Sequence, residues 1–250
     1  IDTFEEPAAA KALLAAIRSK TQLPVRYVVN THYHLDHVAG NNVFARAGAV
    51  ILAQRNVREW ERTENLKFFG DKITPQQRQM VASLGLPTIT YRRGIELWLG
   101  NRKLEVRVLP GHTGSDSIVV VPDANVVFTG DLFWNHSLPN LIDADTRAQI
   151  NSNDVLLSNY SQATFVPGHG NTGHAADVRA FRDYLLTLRL MVARGQSEHK
   201  SGAALVAAVL PKLELKYRHW MWFRYFIRDN IEQTAAELDG TKKVPIPGKP

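Results

Sequence analysis

Residues 25–37 read VRYVVNTHYHLDH, and they decide how the chain folds around its chemistry. The first six residues are β-branched or aromatic for the most part and predict a short buried strand. Three imidazoles and one carboxylate follow within six residues, where the strand passes into a loop. In an extended segment His32 and His34 point to the same side and can face one metal ion. A bend beyond them can turn Asp36 and His37 toward a second ion.

Three further polar residues follow apolar runs later in the chain. They are His112 in PGHT, Asp131 in TGDL and His169 in PGHG. Loops at strand ends are where a rigid scaffold can aim ligands at one point. Imidazole nitrogens and carboxylate oxygens suit zinc, and also iron or manganese. A single histidine before a turn is most simply a satisfied polar residue, but five ligands from two of these short clusters exceed what one tetrahedral ion needs and predict two metals.

The composition is that of an ordinary globular protein. The 250 residues are 44% apolar and 22% charged, with a net charge of +6 whose Lys and Arg residues are scattered along the chain. Nucleic-acid binding is therefore not expected. No apolar run approaches the roughly 20 residues that cross a bilayer, so no membrane span is expected. The absence of cysteine excludes disulfides, Cys-ligated zinc and thiol catalysis.

Hydrophobic patterning predicts a layered mixture of strands and helices, an α+β or α/β domain. The predicted helices cover residues 7–20, 38–47, 175–194, 202–210 and 220–238. The predicted strands cover residues 25–30, 49–52 and 164–166, with hairpins at 95–99/104–109 and 117–122/125–129. The stretch 54–79 predicts an irregular, partly helical surface excursion. Residues 241–250, rich in Lys, Pro and Gly, predict a flexible tail.

The ordered motifs HxHxDH, GHT, TGD and PGHG resemble those of the metallo-β-lactamase superfamily, over residues 1 to about 170. The resemblance implies an α+β fold, the four-layer αββα metallo-β-lactamase sandwich, with a binuclear site at one edge of its two sheets. It implies these ligands: His32, His34 and His112 for the first metal, Asp36, His37 and His169 for the second, and Asp131 bridging both.

A resemblance of this kind implies a binuclear zinc hydrolase. Two Zn²⁺ ions, with Fe or Mn as substitutes, would share a bridging hydroxide that attacks the substrate, and Asp36 would act as the catalytic base. Zinc β-lactamases carry Cys or Ser near the position of Asp131, whereas glyoxalase II and its relatives carry Asp. The expected substrate is therefore a small ester, thioester or lactone, with a β-lactam less favoured.

Two departures from the family pattern concern the ends of the chain. The strands that normally precede the segment at residues 1–3 are missing, so we expect an open sheet edge. The C-terminal helices match no glutathione-binding motif. We expect a metallo-β-lactamase-like domain at 1–200, N-terminally incomplete, an extra helical extension at 201–240 and the tail at 241–250.

An aromatic segment lies near the C-terminus, at residues 216–226. The stripe of Trp220, Phe223, Ile227 and Ile231 predicts a helix face packed in the core. A second face carries Trp222, Tyr225 and Phe226, which leaves a homodimer contact or a wall of the substrate pocket as alternatives. The open sheet edge is another candidate dimer contact. Just past Asp131, Trp134 and His136 are candidates for the pocket mouth.

Other functions share this motif set. A persulfide dioxygenase would use one iron held by two His and one Asp, and a superfamily phosphodiesterase or nuclease would need an RNA-handling arm that 250 residues do not show. A non-catalytic binding protein is disfavoured because every expected ligand is present. The lack of cysteine fits a periplasmic or secreted protein, with the cytoplasm as the alternative, and no signal peptide is visible.

Overall fold

The computed structural model describes residues 1–246, which form two β-sheets with helices on both outer sides. The first sheet has the strand order β1-β2-β3, all parallel. The second has the order β4-β5-β6-β7-β8, antiparallel except for the β7–β8 pair. The strands are β1 (Tyr27–Asn30), β2 (Val50–Gln54), β3 (Ile89–Tyr91), β4 (Gly94–Leu99), β5 (Arg102–Val108), β6 (Ser117–Val121), β7 (Val126–Trp134) and β8 (Thr164–His169).

Nine α-helices lie in the described part of the chain. They are α1 (Pro7–Lys20), α2 (Leu35–Val38), α3 (Asn41–Arg46), α4 (Arg55–Trp60), α5 (Pro75–Ala82), α6 (Thr146–Asn159), α7 (Ala175–Ser197), α8 (Gly202–Tyr217) and α9 (Phe223–Leu238). Short 3-10 helices cover Glu64–Phe69 and Pro122–Ala124. None of the helices within residues 1–246 combines the length and the apolar character that crossing a bilayer requires.

The layers follow from where the apolar side chains are buried. Between the sheets, Val29 and Leu52 pack against Val106 and Val119. The outer face of the first sheet is covered by α1 and α3. The outer face of the second is covered by α6, α7, α8 and α9, which share the largest core cluster. Strand β6 reads SIVVV and is buried at every residue, as expected for a strand covered on both faces. The predicted αββα sandwich is confirmed.

Local sequence accounts for several boundaries. Helix α1 begins with a proline, α5 begins with a capping box between Thr74 and Gln77, and α6 begins where the Asp145 carboxylate accepts a bond from the Ala148 amide at 2.8 Å. The β4–β5 hairpin turns at Gly100, whose φ is 63°. The two predicted hairpins are confirmed within a few residues.

The predicted helix at residues 38–47 begins too early, because α3 covers Asn41–Arg46 and the short helix before it, α2, ends at Val38. Backbone groups near the start of the predicted helix form hydrogen bonds with the N-terminal segment and not with a continuous helix. The Thr3 amide donates to His37 O at 2.8 Å, and the Gly40 amide donates to Phe4 O at 3.3 Å. A side chain at Gly40 would collide with the carbonyl oxygen of Thr3, so this close packing also requires glycine.

The predicted start of the last helix at residue 220 is also wrong. Helix α9 begins at Phe223, because Trp222 has a left-handed φ of 58° and interrupts the helical path. The core stripe of that prediction is nevertheless buried: Trp220, Phe223, Ile227 and Ile231 all belong to the largest cluster.

The predicted open sheet edge and the predicted boundary at residue 200 both concern the ends of the described chain. Strand β1 lies at the end of its sheet, and residues 1–3 run beside it, with the Asp2 amide donating to Val29 O at 3.0 Å. Helices α8 and α9 bury side chains in the same core as β7 and α7. The boundary at residue 200 stays a prediction. The last four residues of the predicted tail lie outside the described residues, while Lys242 donates to Leu141 O at 2.6 Å.

Candidate metal centre

The sequence-predicted ligands converge at one edge of the two sheets. Residues 32–37 leave the end of β1, His112 lies in the loop between β5 and β6, and Asp131 lies within β7. His169 is the last residue of β8, which runs parallel to β7. Because these strand ends meet at the same edge, side chains more than 130 residues apart face a common space. The structure brings all seven predicted ligands together.

Three histidines and one aspartate form the first group. The Nε2 of His112 lies 3.0 Å from the Nδ1 of His34 and 3.2 Å from the Oδ2 of Asp131. The Nε2 of His32 lies 3.8 Å from the same carboxylate oxygen. All four side chains are buried, and their nearest donor atoms fall within 4.8 Å of one another.

Two aspartates and two histidines form the second group. The Oδ2 of Asp36 lies 3.3 Å from the Nε2 of His37 and 3.0 Å from the Nε2 of His169. The Oδ1 of Asp131 lies 3.3 Å from the Nε2 of His37, and its Oδ2 lies 3.5 Å from the Nε2 of His169. Asp131 therefore belongs to both groups.

Buried atoms without partners show that the donor set fits metal ions. The described structure provides no hydrogen-bond partner for five buried atoms of the site: His32 Nε2, His37 Nε2, His112 Nδ1, Asp131 Oδ1 and His169 Nε2. Leaving a buried polar atom unpaired costs about 1–3 kcal/mol. The Nε2 atoms of His32, His37 and His169 each lie 3.3–3.8 Å from a carboxylate oxygen of Asp131, so divalent cations bound among them would satisfy these atoms.

Hydrogen bonds behind the histidines set which ring nitrogen faces that space. The Nδ1 of His32 lies 3.0 Å from the hydroxyl of Thr31, and the Nδ1 of His37 lies 3.0 Å from the carboxylate of Asp2. Asp2 also accepts from the backbone amide of Thr31 at 2.8 Å. An imidazole fixed through one nitrogen presents the lone pair of the other to a metal.

The ring of His34 is held by a hydrogen-bond network centred on Asp143. Its Nε2 lies 2.9 Å from the Oδ2 of Asp143, so its Nδ1 is directed toward His112. The hydroxyl of Tyr33 donates to the same oxygen at 2.5 Å, and the Lys67 ammonium donates to the other carboxylate oxygen at 2.6 Å. Burial opposes ionisation of Asp143, but the bonds from His34 and Lys67 outweigh it and hold the pKa of this carboxyl well below its usual range.

The residues that hold these histidines from behind, Asp143 and Asp2, were not predicted from the sequence. Asp143 is 109 residues from His34, in a loop before α6 that has no recognisable motif. Asp2 lies in the segment at residues 1–3, which carries no ligand motif. Both residues act through contacts between distant parts of the chain, which no local spacing encodes.

Burial and neighbouring charges shift the pKa values of these histidines in opposite directions. Burial, reinforced by the neighbouring His37, holds the pKa of His32 well below its ordinary value, and burial lowers the pKa of His112 to about 3. Burial also opposes the charged form of His169, but Asp131 and Asp36 outweigh it and raise the pKa to about 9. The first pair is neutral at pH 7, as metal ligands must be. The two carboxylates attract positive charge to the second group.

Glycines make room for the carboxylate of Asp131, which belongs to both groups. A Cβ on Gly168 would overlap the Oδ1 of Asp131, and a Cβ on Gly130 would overlap the hydroxyl of Thr31. Gly130 also has a φ of 51°, a left-handed conformation that favours glycine. The glycines of the TGD and PGHG motifs thus allow β7, β8 and the loop after β1 to approach one another at the site.

The two candidate pocket residues lie in different surroundings. Trp134 lines a cavity that opens over the ligands, and its ring centroid lies 4.0 Å from that of His169. His136 does not line this cavity. Its φ of 48° turns it outward, where its ring packs 5.5 Å from Trp220 and its Nε2 lies 3.4 Å from Asp177.

Comparisons with known proteins agree with this architecture. A metallo-beta-lactamase type 2 from Pseudomonas aeruginosa is 24% identical over 155 residues, 61% of this chain and 55% of that protein. A hydroxyacylglutathione hydrolase from Brucella ovis is 26% identical over 150 residues, 60% of this chain and 50% of that protein. The chain thus spans about half the length of the curated relatives that it matches.

A solved structure and a family profile extend the likeness over more of the chain. A metallo-beta-lactamase from Pontibacter korlensis superposes with a TM-score of 0.62 and 25% identity, covering 74% of this chain and 80% of that one. The profile of the metallo-beta-lactamase superfamily matches residues 1–191, which include all seven clustered ligands. By fold and by sequence, this chain belongs to the metallo-beta-lactamase superfamily.

Proposed function

We propose that this protein is a binuclear metal-dependent hydrolase that cleaves a small ester, thioester, lactone or β-lactam. The observation that carries the proposal is the Asp131 carboxylate, which belongs to two groups of four donors at once. A buried carboxylate between two such groups is costly without positive charge on both sides. The hydrolases among the curated relatives support the same reaction class.

Each side chain has a proposed role in holding the ions. His32, His34 and His112 would hold the first Zn²⁺, Asp36, His37 and His169 the second, and Asp131 would bridge them. Bound cations of this type supply Lewis acidity and lower the pKa of water to near neutrality. Thr31, Asp143 and Asp2 keep the three histidines of the HxHxDH motif in a ligating orientation.

Asp36 is the proposed proton acceptor. Its carboxylate lines the cavity, and its Oδ2 contacts His37 and His169. In this position Asp36 would orient an attacking water and take its proton as the substrate carbonyl is attacked. Trp134 covers His169 with its ring and limits the access of other water to this side of the site.

The test begins with the metal content of the purified protein. We expect about two Zn²⁺ per chain after reconstitution, hydrolysis of 4-nitrophenyl acetate, and loss of this activity with a chelator. A protein that binds two ions but turns over no ester, thioester, lactone or β-lactam would contradict the proposal, and turnover of a phosphodiester alone would identify a phosphodiesterase. One iron per chain with oxygen consumption on a persulfide would identify a dioxygenase instead.

A matched pair of variants separates the site from the rest of the surface. His112→Asn removes a buried ligand of the first group, and we expect its kcat/KM to fall by about 100-fold or more together with its metal content. His136→Asn changes an exposed histidine outside the cavity and should leave both quantities unchanged. Asn tolerates the left-handed backbone of position 136, so this control is not expected to disturb the fold.

A further inference from the structure

The cavity over the metal centre has aromatic walls. Its volume is about 470 Å³, which is in the range of small-molecule sites. The ligands His34, Asp36, His112, Asp131 and His169 form part of its lining. Six aromatic side chains form most of the rest: Phe68, Phe69, Trp134, Trp222, Tyr225 and Phe226.

These aromatic rings begin at the ligands themselves. Phe68 packs edge-on against the ring of His34 with centroids 5.0 Å apart. On the opposite side, Trp134 and Trp222 lie 4.0 Å and 5.1 Å from the ring of His169. A substrate whose reacting group reaches the centre must therefore place its remaining atoms against aromatic surface.

The outer part of the wall is exposed yet fixed in place. Tyr225 is 75% exposed and Trp222 is 41% exposed. The segment that carries them is tied to the end of β7, because the Met221 amide donates to His136 O at 2.9 Å and the Leu138 amide donates to Met221 O at 3.0 Å. Large apolar side chains held rigidly at a cavity mouth are typical of ligand-binding surfaces.

The cavity offers no side-chain cation to a charged substrate tail. No Lys or Arg is among its lining residues within 1–246, and Glu5 adds a carboxylate at the rim. The nearby Lys67 ammonium is engaged by Asp143 at 2.6 Å and by the Tyr33 hydroxyl at 3.0 Å. The neutral amide of Asn140 is the polar exception among the remaining lining residues. An anionic tail would lose its hydration here without gaining a partner.

We propose that the preferred substrates are uncharged esters, thioesters or lactones with an apolar chain or ring distal to the scissile bond. This inference rests on the proposed hydrolase function and narrows it to a substrate class. The apolar group lies between Phe68 and Phe69 on one side and Trp222, Tyr225 and Phe226 on the other. Substrates with carboxylates distal to the scissile bond, such as glutathione thioesters, are disfavoured.

Two esters of equal chain length test the charge requirement. The 4-nitrophenyl ester of hexanoic acid and the 4-nitrophenyl monoester of adipic acid differ by a terminal carboxylate and share their leaving group. We expect kcat/KM for the hexanoate to exceed that for the adipate by about 10-fold or more, since one desolvated, unpaired charge costs more than 1.4 kcal/mol. Equal values, or a preference for the adipate, would overturn the proposal.

Substitutions in the aromatic lining of the cavity test where the apolar group of the substrate binds. Trp222→Asn keeps a residue that tolerates the left-handed backbone, and Tyr225→Ala changes a largely exposed side chain. We expect each to raise KM for the hexanoate about 5-fold or more, and to raise it by a larger factor than KM for the short acetate, because only the longer chain buries apolar surface against these rings. The control is Trp98→Ala, which alters a 60% exposed tryptophan on β4, outside the cavity lining.

A binding measurement keeps this inference separate from the catalytic proposal. The neutral fluorophore N-phenyl-1-naphthylamine should bind the zinc-loaded protein with a fluorescence increase, and hexanamide should displace it. Trp222→Asn should raise its Kd about 5-fold, and Trp98→Ala should leave the Kd unchanged. Binding in this pattern without any ester turnover would refute the hydrolase but keep the apolar site. Turnover with no effect of Trp222→Asn on KM or Kd would refute the apolar site alone.

Discussion

At the scale of single residues, the site depends on groups that never reach a substrate. Asp143 holds His34 through one carboxylate oxygen and Lys67 through the other. Asp2 holds His37 in the same manner. Such partners fix the ring orientation and the basicity of a ligating imidazole, and replacing them typically costs 10–100-fold in metal affinity.

Asp143→Asn should therefore weaken metal binding at the group formed by His32, His34 and His112. We expect the Kd for Zn²⁺ at one of the two sites to rise about 10–100-fold, while the other site changes little. Competition with a chromophoric chelator measures both constants. Asp123→Asn, at an exposed ion pair with Arg102, is the matched control. Equal weakening of both sites would show that Asp143 supports the fold and not His34 specifically.

Glu61 predicts a pH dependence of stability. Its side chain is fully buried, and neither carboxylate oxygen has a hydrogen-bond partner among the described residues. Burial raises its pKa from 4.5 to about 8, against the opposing charges of Arg62 and Arg58. Between these two pH values the folded chain keeps a proton that the unfolded chain has released, so the free energy of unfolding falls as pH rises through this interval.

Glu61→Gln should remove this loss of folding stability at high pH. Relative to the wild type, we expect the variant to gain about 3–5 kcal/mol at pH 8.5 and within about 1 kcal/mol of no change at pH 5, since each unit of pKa corresponds to roughly 1.4 kcal/mol. Urea unfolding of both proteins at the two pH values measures the difference. Glu96→Gln, at a largely exposed carboxylate, should show no such pH dependence. A gain of equal size at both pH values would contradict the account.

At the scale of elements, the ligands are placed by strands that stop at one edge. Strands β7 and β8 run in parallel, with Gly130 opposite Pro167 and Trp134 opposite His169, and their register shifts between these pairs. The shift brings Asp131 and His169 within 3.5 Å of each other. An irregularity in the ladder next to a site is a recurrent means of redirecting a side chain.

Gly168→Ala should displace the carboxylate of Asp131, which we propose bridges two ions. The added methyl group would overlap the Oδ1 of Asp131 and press on the backbone of Gly130. We expect both metal sites to weaken, with a loss of kcat/KM of about 100-fold or more, because small displacements in a site are costly. Metal analysis and steady-state kinetics measure the two effects. Gly100→Ala, where φ is 63° and an added Cβ meets nothing, should cost stability but not metal affinity.

At the scale of the whole molecule, the C-terminal helices and the second sheet share one core. Helix α8 buries Leu205, Val206, Val209 and Leu213 against the cluster that contains β7 and α7. Gly195 of α7 allows this close approach, because a Cβ there would overlap the side chain of Leu205. The same helical layer positions three aromatic residues of the cavity wall, Trp222, Tyr225 and Phe226.

A chain ending at residue 200 should therefore fail to fold cooperatively. Burial of each large apolar side chain contributes roughly 1.5–3 kcal/mol, so removing the four that α8 buries forfeits an amount close to the total stability of a typical domain. Near-UV circular dichroism and urea unfolding of the truncated chain measure this. A chain ending at residue 240 keeps α9 and is the control. Cooperative unfolding of residues 1–200 would show instead that the helices are a separable extension.

The sequence by itself determined the class of fold and the residues that converge at the candidate metal centre. Residues 25–37 combine a strand pattern with a ligand cluster, and the GHT, TGD and PGHG motifs repeat that combination. Both signals are local: side-chain periodicity reports the element, and residue type reports what the end of that element can bind. The hairpins and the core stripe on the last helix followed from them, whereas the αββα sandwich was implied by the resemblance of the ordered motifs to the metallo-β-lactamase superfamily.

Only the tertiary structure decided which distant groups support the ligands and what covers the site. Asp143 meets His34 across 109 residues, and the N-terminal segment divides the predicted helix at Gly40. Although Trp134 and His136 are close in the chain, Trp134 lines the cavity and the side chain of His136 is exposed outside it. These outcomes depend on how whole elements pack, and packing is set by contacts among residues far apart in sequence, which the spacing within a motif does not contain.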